Sequence, residues 1–284
     1  MWPGVARAAS PPYPTPAMSA ELQAQRFERK YFVSPRQAAL IREFVRAYLV
    51  PDEHSETAPD LSYPVHSIYL DNDQLATYYA TVHCEKTRFK LRMRYYDDEP
   101  DSPVFFEIKR RIGDCIQKQR GAVRRNAAPL IVAGYLPEPD HLLSSKPGHL
   151  GAVQKFSQLM QMLHARPKMH IAYEREAWVS PVGNSVRVTL DKNVRGVIRR
   201  EPRFTTEMER PVFPFRDGSL NKTVLEIKFT NRFPDWLTEM VRHFNVMASG
   251  APKYCGSIAE AREEMVSQGT PGDSSQLVTM LRYF

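Results

Sequence analysis

Long apolar runs are missing. No stretch of the 284-residue chain approaches the roughly 20 consecutive apolar residues that a membrane-spanning helix requires, and the N-terminus lacks the cationic start and apolar middle of a secretory signal. A cytoplasmic location is therefore expected. Cysteine is scarce: Cys84, Cys115 and Cys255 stand far apart with no CxxC and no Cys/His grouping, which argues against a disulfide framework and a zinc site. Histidines such as His83, His164, His170 and His243 occur singly and are assigned no chemistry. Positive charge, by contrast, is in excess. Lys and Arg number 39 against 32 Asp and Glu, a formal net charge of +7, so an anionic partner is expected: nucleic acid, anionic lipid or a phosphorylated small molecule. A hydrophobic content of 42% suffices for a core.

The chain is organised around residues 87–96. Arg88, Lys90, Arg92 and Arg94 alternate strictly with Phe89, Leu91, Met93 and Tyr95, the signature of a β-strand. Successive side chains point to opposite faces, so the four cations share one face at intervals of roughly 7 Å. Neighbours at that spacing repel by about 2 kcal/mol at an effective dielectric near 20, and an anion would relieve them. Residues 104–111 repeat the design with acid added, setting Glu107, Lys109 and Arg111 against Val104, Phe106 and Ile108.

Residues 1–19, rich in Pro and Ala without periodicity, read as a disordered tail. Met18 is an alternative start that mass spectrometry of the N-terminus would settle. A single domain is expected over 20–266, with a tail at 267–284. Residues 26–33 form a mixed-charge strand bearing Glu28 and Lys30, and Ser34-Pro35 opens a helix ending near Pro51. Residues 52–62 read as polar loop, and 65–71 as a short strand with Tyr69 and Asp71 on one face. Residues 115–123 place Lys118 and Arg120 together, with Gly121 as a bend or bulge. Residues 127–148 read as loop with a short helix, and 152–164 as a helix with Val153, Phe156, Leu159, Met160 and Leu163 packed in a core. Strands follow at 169–179, with Arg175, and at 185–194, with Arg187, Thr189 and Asp191, joined by a turn at Pro181-Val-Gly-Asn184. An irregular stretch at 200–220 precedes a strand at 223–229 carrying Glu226 and Lys228. Helices are expected at 234–247 and 257–265, with Lys253-Tyr254 leading into the last.

Strands of this kind with helices between them make an α+β, antiparallel fold. In an ordinary sandwich the apolar faces meet and the charged faces are solvated, which is the sufficient explanation for any one strand. Repetition of Glu-x-Lys and Arg-x-Arg favours instead a barrel with its charges inward and its apolar faces under helices. Such a channel suits linear polyanions, because arginine forks match phosphate oxygens and a few carboxylates would hold a divalent metal that completes its shell with water and phosphate. Glu226 is the first choice as metal ligand, with Glu28 and Glu107 as helpers; charge balance is the competing role for each. Because these acids sit among the cations, no nucleic-acid partner is expected.

The order Arg26-Phe-Glu28-Arg-Lys30-Tyr31, Ser67-Ile-Tyr69-Leu-Asp71-Asn72, Lys90-Leu-Arg92-Met-Arg94-Tyr95-Tyr96, Phe106-Glu107-Ile-Lys109-Arg110, Val186-Arg187-Val-Thr-Leu-Asp191, Leu225-Glu226-Ile-Lys228 and Pro252-Lys253-Tyr254 resembles the VTC domain, the catalytic module of the vacuolar transporter chaperone complex, among the triphosphate tunnel metalloenzymes. The resemblance spans about residues 26–261 and looks like a stand-alone bacterial form. It implies an antiparallel tunnel barrel, Mn2+ or Mg2+, and transfer of the ATP γ-phosphate to growing polyphosphate. By the same resemblance Arg92, Arg94, Lys109, Lys228 and Glu226 would be catalytic. Lys30, Lys90, Lys118, Arg120, Arg175, Arg187 and Lys253 would join them in gripping ATP, polyphosphate or tripolyphosphate. The SPX domain and membrane spans of eukaryotic relatives are not seen in this sequence, so their regulation and translocation are not carried over. A triphosphatase, with water as acceptor, and a non-catalytic polyphosphate-binding module are the alternatives.

Overall fold

The structure is a computed structural model that describes residues 26–267 apart from positions 114, 184, 210, 218, 219, 249 and 251. Both expected tails, including Met18, lie outside the described residues, save that Ser267 ends the last helix. In chain order the elements are β1 (Arg26–Val33), α1 (Pro35–Val45), β2 (Val50–Pro51), α2 (Glu53–Glu56), β3 (Ser62–Asp71), α3 (Ala76–Val82), β4 (Thr87–Tyr95), β5 (Val104–Ile112) and β6 (Cys115–Val123). There follow α4 (Ala128–Val132), α5 (Pro147–Leu163), β7 (Arg166–Val179), β8 (Val186–Ile198), β9 (Phe213–Pro214), β10 (Arg216–Asp217), β11 (Leu220–Asn221), β12 (Thr223–Thr230), α6 (Asp235–His243) and α7 (Lys253–Ser267).

The alternating segments become one antiparallel sheet in the order β1-β12-β8-β7-β3-β4-β5-β6. Register shifts at Tyr69/Leu70 and Ala172/Glu174 add bend, as irregularities of this kind do. The sheet curls until Cα atoms of its edge strands β1 and β6 approach within 8 Å, with no ladder between them among the described residues. It is a barrel left unlaced along one seam.

Two helical layers cover the outer, apolar face. Val153, Phe156, Leu159 and Met160 of α5 pack with Ile131 of α4 on Leu91, Met93, Phe106 and Ile108. Ile41 and Val45 of α1 and Leu237 and Met240 of α6 pack on Tyr31, Val188, Leu225 and Ile227. A capping box seals the start of α1: the Ser34 hydroxyl accepts from the Gln37 backbone N–H, and the Gln37 side chain accepts from that of Ser34. Gly121 lies inside β6, which stays in continuous register with β5, so it is neither bend nor bulge. A Cβ there would meet Val153 Cγ2 at 2.4 Å and the His149 carbonyl oxygen at 2.6 Å; the glycine lets α5 approach the sheet.

The ionic face is not ionic along its whole length. Val65, Met169, Ile171 and Val224 share it with the charged residues, and they pack with Tyr254, Cys255 and Ile258 of α7. That helix begins at Lys253, four residues earlier than expected, and plugs one end of the barrel. The stretch expected to be loop after Pro51 holds α2, with Asp52 capping the Ser55 N–H.

Candidate functional site

Every strand on the main path contributes to one cavity of about 1590 Å³. Glu28 and Lys30 come from β1, Glu226 and Lys228 from β12, Arg187 from β8, Arg175 from β7, Tyr69 from β3, Lys90, Arg92 and Arg94 from β4, Lys109 from β5, and Lys118 and Arg120 from β6. Lys253 enters from α7. Only a curled sheet can aim all of these at one space, so the sequence-based set converges, apart from Glu107, which lies behind the wall.

One side of the cavity is built on lysine. Lys109 reaches Glu28 at 2.8 Å, Lys228 reaches Glu226 at 2.6 Å, and Lys30 bridges the two acids at 3.3 and 3.4 Å. Burial and the neighbouring Glu226 push the Glu28 carboxyl up, yet Lys30, Lys109 and Lys228 outweigh both and hold it at about 2. Glu226 is likewise held well below the carboxylate range, its burial overcome by Lys228, Lys30 and Lys109. Both are ionised. Burial, with Lys30 close by, lowers Lys109 to about 8.

The other side is built on arginine. Glu107, 0% exposed, takes Arg92 Nε at 2.7 Å and Lys118 at 2.6 Å, and Arg92 donates to the Tyr69 hydroxyl at 3.1 Å. Arg175 grips Asp191 through two parallel bonds of 2.7 and 2.8 Å, and Lys253 pairs with the same carboxylate. Arg187 pairs with Asp52 at 2.6 Å. Burial together with Arg92 and Arg94 lowers Lys118 to about 7, against the pull of Glu107.

Arg94 differs from these. It is 5% exposed, and its partners are hydroxyls alone, Ser67 at 3.3 Å and Tyr173 at 3.0 Å. Lys90, four residues back on the same face of β4, makes a long contact of 3.9 Å to the Cys255 sulfur, and burial lowers its pKa. Among the described residues neither cation has a carboxylate within ion-pair distance. Burying an unpaired charge is costly, so these two heads mark where an anion would sit.

The three glutamates do not gather. Among the described residues no group of three His, Cys, Asp or Glu side chains is placed to hold a metal. Glu107, expected as a helper at the metal, is held by Arg92 and Lys118 and does not line the cavity with Glu28 and Glu226. Glu28 and Glu226 remain as an ionised pair facing the cavity; two carboxylates with the remaining positions left to water and phosphate fit an ion of the magnesium type. The residues missed by sequence reasoning are Tyr69, Tyr173, Asp191 and Asp52. The first three already lay on the ionic faces by alternation, whereas Asp52 stands outside any alternating run.

The VTC domain family matches residues 25–262. The chain belongs to that family. It is 24% identical over 233 residues, 70% of its own length, to "Vacuolar transporter chaperone complex subunit 2" of Schizosaccharomyces pombe, of which it spans 31%. Two solved structures, each provisionally assigned as an adenylate cyclase, overlap in outline. One, from Bacillus halodurans, has a TM-score of 0.43 at 11% identity, covering 79% of this chain and 92% of that one. The other, from Vibrio parahaemolyticus, has a TM-score of 0.36 at 12% identity, covering 78% and 89%. No helix among the described residues is long and apolar enough to cross a membrane.

Proposed function

We propose that this VTC domain binds ATP and polyphosphate in the cavity and transfers the ATP γ-phosphate to the growing polymer. The observation that carries the reading is Arg94: a buried guanidinium in an ionic cavity with, among the described residues, no carboxylate within ion-pair distance. A phosphoryl chain would supply the missing negative charge.

Arg92 and Arg175, locked by Glu107 and Asp191, present fixed donors to phosphoryl oxygens. Lys30, Lys109 and Lys228 hold flexible heads near the transferring group. The terminal oxygen of the acceptor chain attacks in line, and ADP leaves. Because a transferring phosphoryl group spreads its charge over its equatorial oxygens, preplaced cations do most of the work and no covalent nucleophile is needed. Glu28 and Glu226 would hold Mn2+ or Mg2+, which when bound neutralises charge on the phosphate oxygens.

A triphosphatase is the second reading. It is favoured by Lys253, the sole lysine of α7, being occupied by Asp191 and the Tyr173 ring, so that helix offers no further lysine to a product chain. Purified protein with ATP and Mn2+ separates the two. Polymer on a gel with matching ADP supports the polymerase, while orthophosphate without polymer overturns it in favour of hydrolysis.

A further inference from the structure

The two ends of the cavity lining are unlike. Where β4 ends and β3 and β5 begin, Tyr96, Tyr63 and Phe105 stand half-buried around it, with the exposed ring of His54 beside them. His54 lies 5.3 Å from Tyr63 and 6.4 Å from Tyr96, and Tyr96 lies 6.0 Å from Phe105. The opposite ends of the same strands carry Arg88 paired with Arg111 and Lys90 paired with Lys109.

We infer that the aromatic end is a nucleobase platform, with the Tyr96 ring as its principal contact, and that the nucleotide enters with its phosphates leading. The inference rests on the reading that the cavity takes a triphosphate. Strand register supplies the geometry: Phe105 is directly opposite Arg94, and Tyr63 directly opposite Arg175. A base held on the rings therefore has its phosphates at the cations immediately inward. The aromatic end also carries Glu53 and Asp97, which repel a bare polyphosphate end yet leave an uncharged base indifferent. The Arg120 guanidinium covers one face of Phe105 at 3.8 Å, which leaves Tyr96 and Tyr63 as the open surfaces. Stacking tolerates any base, with purines favoured by their larger ring.

The test compares ATP with tripolyphosphate, which has no base, by calorimetric titration of the wild type, Tyr96→Leu and Tyr96→Trp. Loss of one stack should weaken ATP binding about tenfold, leave tripolyphosphate binding unchanged, and be reversed by Trp. Equal effects on both ligands, or on neither, overturn the platform. Wild type that binds tripolyphosphate as tightly as ATP also overturns it while sparing the phosphate reading; wild type that binds neither ends that reading itself. A measurement without substitution guards against a misfolded variant: 1,N6-etheno-ATP bound to the wild type should be quenched and recover when tripolyphosphate displaces it. Unquenched bound fluorophore contradicts the proposal.

Discussion

The lysine wall and the arginine wall of the cavity use the same residue classes in opposite ways. On the arginine side the carboxylates are sealed: Glu107 and Asp191 are both 0% exposed, each bound by a guanidinium and a lysine. On the lysine side Glu28 and Glu226 keep some exposure, and their partners are single ammonium heads on flexible stems. Arginine's planar fork fixes geometry, whereas a lysine head can exchange partners. An acid buried under arginine is framework, while an acid shared among lysines is free to trade them for a metal or a substrate.

The contrast breaks first at Glu226. Glu226→Gln should lower turnover of ATP roughly thousandfold, about 4 kcal/mol in the barrier, with little change in the thermal midpoint. Next is Glu107→Gln, which leaves Arg92 and Lys118 facing each other without their acid. It should destabilise the fold by about 3 kcal/mol, read as a fall of roughly 6–12 °C in a melting curve. If Glu226→Gln unfolds the protein and Glu107→Gln does not, the two walls have been assigned the wrong way round.

Arg94→Met sharpens the comparison from the other side. It should weaken tripolyphosphate binding about thirtyfold, roughly 2 kcal/mol for a charge-assisted contact, yet leave stability in urea equal or higher, because an unpaired buried charge has been removed. The smallest effect is expected at Lys118. Its pKa, about 7, means that it is charged below neutrality and loses its proton as pH rises through 7. Since a polyanion binds the charged form, affinity is greatest on the acid side and falls about fivefold by pH 9, an exposed contact contributing roughly 1 kcal/mol. Comparison with Lys118→Met, whose profile should lack that fall, removes the titration of the ligand itself.

Strict alternation made the strands legible, because a period of two puts Arg92 and Arg94 on one face whatever the remainder of the chain does. The direction of that face was the harder step: a solvated sandwich face and a barrel lining share one pattern, and repetition of Glu-x-Lys across distant strands favoured the lining. The plugging of one end by α7 was hidden, since Met169 and Ile171 continue the same alternating face as Arg175 and only tertiary contact tells lining from packing. The partners of Glu107 were hidden for a related reason. Its position opposite Arg92 and beside Lys118 is a matter of register across three strands, which one sequence does not print. Asp52 was beyond reach because α2 brings it to Arg187 across 135 residues.

A crystal structure of the chain grown with tripolyphosphate and Mn2+ tests the central claim most directly. The account predicts a phosphoryl chain inside the barrel, with oxygens on Arg94 and Lys228 and the metal at Glu28 and Glu226. Anions bound only on the outer surface, with Arg94 still facing hydroxyls alone, would contradict it.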